Sequence, residues 1–210
     1  MKKAIINSGN YLMLIAFLLL VSNCKEAKNE TLASNNHESE DSFYCHNGAY
    51  LMEDGSIFII GPSDEPNLRY RQPDGTTGKF FPQDDGSYIS GKGWANKENP
   101  IYSMNLGNCG NPTIEITSNG VTKEGEKIEF PVKKITFDSN GNSLYGELFY
   151  PINNNPKAVV ILHFGSGRSS AVENNFLQYL FPLDDIAVFV YDKQETGKSE
   201  GTFKIGRAHV

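Results

Sequence analysis

The sequence predicts an α/β protein in which a small antiparallel β module precedes the first strands and helix of a mostly parallel sheet. Two observations lead to this class. In the first half of the chain, short β-prone runs alternate with Asn-Gly and Asp-Gly dipeptides, which is typical of antiparallel hairpins. Further on, two apolar runs of strand length, 158–164 and Ile186–Tyr191, flank a segment with helical periodicity, 171–180.

Composition excludes several classes of function. The chain has 210 residues, with 25 acidic and 19 basic side chains and a net charge of −6. A nucleic-acid-binding protein needs a basic surface, and an isoelectric point near 5.3 does not favour one. Only the segment 11–21 is apolar enough to be considered for a membrane, so this is not the sequence of a polytopic membrane protein.

The N-terminus has the features of an export signal. Lys2 and Lys3 precede the apolar run 11–21, which is too short to span a bilayer and is typical of a signal-peptide core. Cys24 follows in a context that resembles a bacterial lipobox, whose cysteine is acylated and becomes the mature N-terminus. We therefore expect a signal peptide over 1–23 and a lipid-anchored protein of the cell envelope. The alternative is an ordinary cleaved signal and a secreted or periplasmic protein.

A polar segment, 24–42, follows the signal and is nearly free of large apolar side chains. Because it cannot bury enough surface to offset the entropy lost on ordering, we expect a flexible tether. If Cys24 is lipidated, Cys45 and Cys109 remain as an even pair in an oxidising compartment, which predicts a disulfide. The alternative is a metal site that includes His46, although the paired spacing of zinc ligands is absent.

The region 43–125 is predicted to form the β-rich module. It contains five dipeptides that favour positive φ and tight reversals: Asn47-Gly48, Asp54-Gly55, Asp74-Gly75, Asp85-Gly86 and Asn119-Gly120. The predicted strands between them are 49–52, 56–60, 68–71, 79–81, 87–89, 101–104 and 113–117. No set of catalytic side chains stands out in this module.

The region 126–204 is predicted to form part of an α/β core. The runs 128–137 and 143–150 flank an Asn-Gly pair and predict a hairpin. The continuous apolar run 158–164 is typical of a strand buried on both faces. With the helix expected over 171–180 and the strand expected over Ile186–Tyr191, it completes a strand–helix–strand unit whose strands are parallel.

Two motifs in this second unit carry a resemblance to a known family. The runs VVILHFGSGRSS (159–170) and IAVFVYDKQETGKSEG (186–201) resemble the third and fourth strands of α/β-hydrolases, together with the loops that follow them. In that family a backbone N–H after the third strand helps to stabilise the oxyanion. The resemblance therefore implies an oxyanion loop at Gly165 and Ser166, in the first strands and helix of an α/β-hydrolase sheet.

The nucleophile and its partners are not found in this sequence. The segment 197–201 matches Gly-x-Ser-x-Gly, but it lies several residues beyond the strand and no helix follows, so Ser199 is not assigned as the nucleophile. The four histidines, at 37, 46, 163 and 209, provide no base for a Ser-His-Asp set. We assign no catalytic residue and expect no metal or organic cofactor.

The predicted function is that of the N-terminal fragment of an exported serine hydrolase, inactive as it stands. The whole enzyme would act on a small-molecule ester or peptide, with a lipid anchor to the membrane and no nucleic-acid partner. The alternative is a non-enzymatic surface lipoprotein whose β module binds a partner or an envelope polymer. The last residues, 205–210, resemble one reading frame of a sequencing-library adapter, so we interpret them as an artefactual tail on a truncated chain.

Overall fold

The first eight strands form a closed antiparallel barrel in the computed structural model, which describes residues 44–95, 98–165 and 167–202. Each strand pairs with the next along the chain, and β8 pairs with β1, which closes the barrel. The strands are β1 Gly48–Met52, β2 Ile57–Pro62, β3 Leu68–Arg71, β4 Thr77–Pro82, β5 Tyr88–Ser90, β6 Tyr102–Leu106, β7 Thr113–Ser118 and β8 Val121–Lys127. The predicted signal peptide, Cys24, the tether, Ser166 and the tail 205–210 lie outside the described residues.

Asp-Gly pairs form three of the barrel hairpins in the same way. In each, the glycine N–H donates to the carbonyl three residues earlier, and the glycine adopts a positive φ that a side chain would disfavour. The aspartate Oδ1 also accepts a hydrogen bond from the backbone N–H two residues later. The glycines are Gly55, Gly75 and Gly86. Four of the five predicted turns in the module are confirmed, since Asn119-Gly120 also reverses the chain, whereas Gly48 begins β1.

Alternate side chains fill the interior of the barrel. The rings of Phe58, Tyr70 and Phe80 form a chain of contacts with centroids 5.1 to 5.8 Å apart. Met104 and Ile114 are fully buried beside them. The middle of the barrel is therefore a packed hydrophobic core, and a ligand could be held only at its ends.

Four further strands form a second, mixed sheet: β9 Val132–Ser139, β10 Asn142–Phe149, β11 Ala158–Leu162 and β12 Ile186–Tyr191. Their order in the sheet is β11-β12-β10-β9. The predicted hairpin is confirmed as β9 and β10, and the predicted parallel pairing is confirmed between β11 and β12. β12 also pairs antiparallel with β10, so it lies inside the sheet and is hydrogen-bonded on both sides.

The predicted α/β class is wrong, and so is the resemblance to α/β-hydrolases. A closed antiparallel barrel is the larger part of the described structure, and two of the three strand pairings in the second sheet are antiparallel. From β1 onward, the described residues contain one short α-helix and two 3-10 helices. These are α1 Ala171–Asn174 and the 3-10 helices Leu177–Tyr179 and Phe181–Asp184. The sequence expectation overestimated both the helix and the share of parallel sheet.

The helix predicted over 171–180 ends after four residues because Asn175 leaves the helical conformation. Its backbone is extended, with φ −90° and ψ 135°. The Asn175 Oδ1 atom then accepts a hydrogen bond from the Leu177 N–H, 3.0 Å away, where the first 3-10 helix begins. The Asn175 side chain thus accepts the hydrogen bond that a helical backbone carbonyl would otherwise accept from the Leu177 N–H. The apolar side chains of Val172, Phe176 and Leu180 still pack into the core.

The barrel and the second sheet share one hydrophobic core. Ala49 and Ile59 from the barrel pack in the same cluster as Phe149, Val188 and Val190 from the sheet, and all five are at most 4% exposed. The barrel exterior adds a polar contact here, because Arg69 Nη2 on β3 donates to the Asn174 carbonyl at 2.8 Å. The barrel is therefore held against the sheet by both packing and hydrogen bonding.

The predicted disulfide is present between Cys45 and Cys109, whose Cα atoms are 5.6 Å apart. It joins the residues just before β1 to the β6–β7 loop. Burial, followed by the positive charge of Lys127, lowers the pKa of the neighbouring His46. Across the described part of the chain, no helix has the length and apolar character needed to cross a bilayer.

Replacing both Cys45 and Cys109 with Ala should lower the free energy of unfolding by about 4 kcal/mol, because the disulfide closes a 64-residue loop in the unfolded chain. Equilibrium urea denaturation measures the change. Cys24→Ala is the matched control and should leave the midpoint unchanged. A double variant as stable as the parent protein would contradict the prediction.

Candidate functional site

The loop that follows β11 contains the two residues predicted to form the oxyanion loop. Gly165 is exposed, and Ser166 lies outside the described residues. The Lys193 ammonium donates to the carbonyl oxygens of Gly165 and Gly167, so the loop after β12 fastens the loop after β11. The structure thus explains how this loop is held, and its oxyanion role stays a prediction.

His163 stands at the end of β11 and contacts an aromatic side chain. Its Nδ1 atom lies 2.8 Å from the Tyr191 hydroxyl at the end of β12. This hydrogen bond links the ends of the two parallel strands and orients the imidazole. This contact agrees with leaving His163 unassigned as a catalytic base, and ester or peptide hydrolysis by the whole enzyme stays a prediction.

A buried carboxylate, Asp192, organises both loops and is only 1% exposed. Its Oδ1 accepts from the Ser170 hydroxyl at 2.9 Å and from the Ala171 N–H at 2.7 Å, at the beginning of α1. Its Oδ2 accepts from the Lys198 N–H at 3.1 Å. A buried charge requires donors of this kind, and here they come from the loops on either side. Asp192 therefore fixes the two loops relative to each other.

Ser199, the serine of the Gly-x-Ser-x-Gly match, has a structural contact on each side. Its hydroxyl donates to the Asp192 carbonyl at 2.7 Å and accepts from the Tyr145 N–H at 2.9 Å. The side chain is 9% exposed and connects the loop to β10. These contacts favour a structural role for Ser199, in line with leaving it unassigned as a nucleophile.

The mouth of the barrel holds a cavity of about 420 Å³ that the sequence did not reveal. It lies between the β1–β2, β3–β4 and β7–β8 hairpins, at the end of the barrel opposite the disulfide. We call this cavity the mouth pocket. Its lining residues are Met52, Asp54, Ser56, Phe58, Gln72, Tyr102, Ile116, Ser118, Asn119, Val121 and Lys123.

The mouth pocket has an apolar floor and a polar rim. Phe58 and Ile116 are nearly buried, and the half-buried Tyr102 ring packs edge-to-face on Phe58 with centroids 5.5 Å apart. Gln72 and Ser118 add an amide and a hydroxyl at the rim. An apolar surface with a few polar groups around it is the usual composition of a small-molecule site.

One ion pair is part of the lining of the mouth pocket. Lys123 on β8 donates to an Asp54 carboxylate oxygen in the β1–β2 hairpin, and this contact is the main cause that holds the Asp54 pKa well below its usual range. These two side chains supply one positive and one negative charge to the lining. The pocket therefore has no net charge and offers both a donor and an acceptor to a ligand.

Sequence reasoning missed this pocket because its residues come from separate strands. Ser56, just before β2, is two residues from Phe58, and Ser118 is two residues from Ile116 on β7. In both places the polar residue lies nearer the mouth than the apolar one on the same face. That repeated order near the hairpins is the signal that could have located it. It becomes meaningful only once the barrel is known to close.

Asp192→Asn should destabilise the protein by about 2 to 3 kcal/mol, because an amide NH₂ group would then face N–H and O–H donors in a buried site. Urea denaturation measures this loss. The control is Asp138→Asn, at an exposed position on β9, which should change stability by less than about 0.5 kcal/mol. Equal effects of the two substitutions would show that Asp192 does not hold the loops.

No protein-family model and no curated protein matches this chain. What the protein does must therefore follow from the chemistry of its own residues, and the mouth pocket is the candidate ligand site among those described.

Proposed function

We propose that this protein is a surface-anchored binding protein whose barrel takes an uncharged, hydroxyl-rich ligand, such as an envelope glycan, in the mouth pocket. The observation that carries the proposal is a pocket of about 420 Å³ at the end of an otherwise filled barrel. This volume lies within the range of about 300 to 1,000 Å³ that ligand sites occupy.

The chemistry of the lining favours a glycan. The apolar face of a sugar ring packs well against aromatic surface, which Tyr102 and Phe58 supply. Sugar hydroxyl groups both donate and accept, and so do the side chains of Gln72, Ser118 and Asn119 at the rim. Because the charges of Asp54 and Lys123 balance, the pocket does not favour a cation or an anion.

The placement of the module agrees with such a role. The sequence before residue 44 is typical of an export signal, a lipobox-like cysteine and a polar tether. A barrel on such a tether would be held near the envelope and could still reach a polymer there. We therefore propose lipid anchoring through Cys24 as part of the same function.

Gln72→Arg should weaken binding of a soluble N-acetylglucosamine hexamer by about tenfold or more, because the longer charged side chain would occupy the rim of the pocket. Isothermal titration calorimetry with the full chain measures the affinity. Gln83→Arg is the matched control, since Gln83 holds the same position in an equivalent Asp-Gly hairpin at the other end of the barrel.

The control variant should bind as the parent protein does, and an oligogalacturonate of similar length should bind more weakly than the neutral hexamer. The proposal fails if the parent protein binds neither oligosaccharide. It also fails if Gln72→Arg and Gln83→Arg weaken binding equally.

Expression in a bacterial host with radiolabelled palmitate tests the anchor. The parent chain should incorporate label and fractionate with membranes, and Cys24→Ala should lose the label because the acylated residue is gone. Cys109→Ala, which removes a different cysteine, is the control and should keep it. An unlabelled parent chain would rule out lipidation.

A further inference from the structure

A second group of chemically active side chains lies at the end of the barrel opposite the mouth pocket. The sulfur atoms of Cys45 and Cys109 and a ring nitrogen of His46 all lie within 4.8 Å of one another. His46 is only 7% exposed, so this imidazole is buried beside the disulfide. The three side chains come from the turn before β1 and from the β6–β7 loop.

The His46 ring is unusual because part of its hydrogen-bonding capacity is unused. Its Nδ1 atom is buried and has no hydrogen-bond partner among the residues that the structure describes. Buried polar atoms in proteins are nearly always paired, and an exception calls for an explanation such as a bound ion. The imidazole is also the commonest metal ligand among side chains, in its neutral form.

The two cysteines differ in how freely they can move. The Lys127 ammonium donates to the Cys45 carbonyl at 2.9 Å, so the backbone at Cys45 is held in place. Cys109 lies on an exposed loop, so its sulfur is the one that can move when the disulfide opens. No carboxylate is part of this group among the described residues.

We propose that reduction of the Cys45–Cys109 disulfide converts this end of the barrel into a metal site, in which both sulfurs and His46 bind one Zn²⁺ ion. Two thiolates and an imidazole are ligands that Zn²⁺ prefers, and the fourth tetrahedral position remains for water. Tetrahedral bonds of about 2.0 to 2.3 Å place donor atoms roughly 3.4 to 3.8 Å apart. The sulfurs must therefore separate, whereas a ring nitrogen of His46 already lies within 4.8 Å of both sulfurs.

The chemistry balances in two steps. An external dithiol reduces the disulfide, which gives two protein thiols and the oxidised dithiol. Zn²⁺ then displaces one proton from each thiol and remains Zn²⁺ throughout. The ion would replace the disulfide as the crosslink between the turn before β1 and the β6–β7 loop. These two segments would therefore remain connected under reducing conditions.

Cobalt(II) binding tests the site, because Co²⁺ in a tetrahedral thiolate site absorbs visibly. The full chain with Cys24→Ala, which removes the third thiol, is reduced with dithiothreitol, freed of it without oxygen and titrated with Co²⁺. We expect one Co²⁺ per chain, a thiolate-to-cobalt charge-transfer band and displacement of Co²⁺ by Zn²⁺. The oxidised protein should show no such band.

His46→Gln should weaken Co²⁺ binding by about tenfold or more in this background, since one ligand is lost. His163→Gln, which alters a histidine of the second sheet, is the control and should bind as the parent does. X-ray absorption of the Zn²⁺-loaded parent protein should show two sulfur ligands and an imidazole, and this measurement does not require the variant to fold. Absence of the charge-transfer band, or zinc without a histidine ligand, would overturn the proposal.

Discussion

Closure of the barrel between β1 and β8 is the constraint on which the rest of the structure depends. The two strands pair through three residue pairs, from Tyr50↔Lys127 to Met52↔Gly125. Gly125 suits this close seam, because a Cβ atom there would lie 2.5 Å from the Met52 sulfur and the buried Met52 side chain would have to shift. Closure leaves none of the eight strands with a free edge. It also brings Asp54 and Lys123 together at the mouth.

The same closure gives the barrel two ends with different chemistry. At one end, hairpins surround a pocket with an apolar floor, a polar rim and balanced charges. At the other end, a disulfide and a buried histidine fasten the turn before β1 to the β6–β7 loop. The packed aromatic interior between them separates the two ends. Ligand binding at the mouth and redox chemistry at the opposite end can therefore be independent properties of one barrel.

The second sheet has its own organising contact, the buried carboxylate of Asp192. It accepts hydrogen bonds from the beginning of α1 and from the loop after β12. One side chain therefore positions the segments that follow the two parallel strands, β11 and β12. The core that this sheet shares with the barrel includes Ala49 and Ile59, and Arg69 on β3 adds a hydrogen bond to the carbonyl of Asn174, the last residue of α1.

Local chemistry made much of this fold predictable. Asn-Gly and Asp-Gly pairs impose reversals through positive φ. Alternating apolar residues predicted the strand 68–71, and a continuous apolar run predicted the strand 186–191, both with the bounds that the structure shows. β8 escaped prediction because its sequence, VTKEGEK, is mostly polar, and it forms a strand only because β7 and β1 supply hydrogen-bonding partners on both sides. A sequence pattern determines where the chain turns, because a positive φ depends on the residue itself and its neighbours. It does not determine burial, which depends on the segments that pack against a strand. The prediction that the run 158–164 is buried on both faces is wrong, since Val159 is 59% and Ile161 67% exposed on β11. Barrel closure, the mouth pocket and the surroundings of His46 depend on pairings between distant segments, so only the tertiary structure decided them.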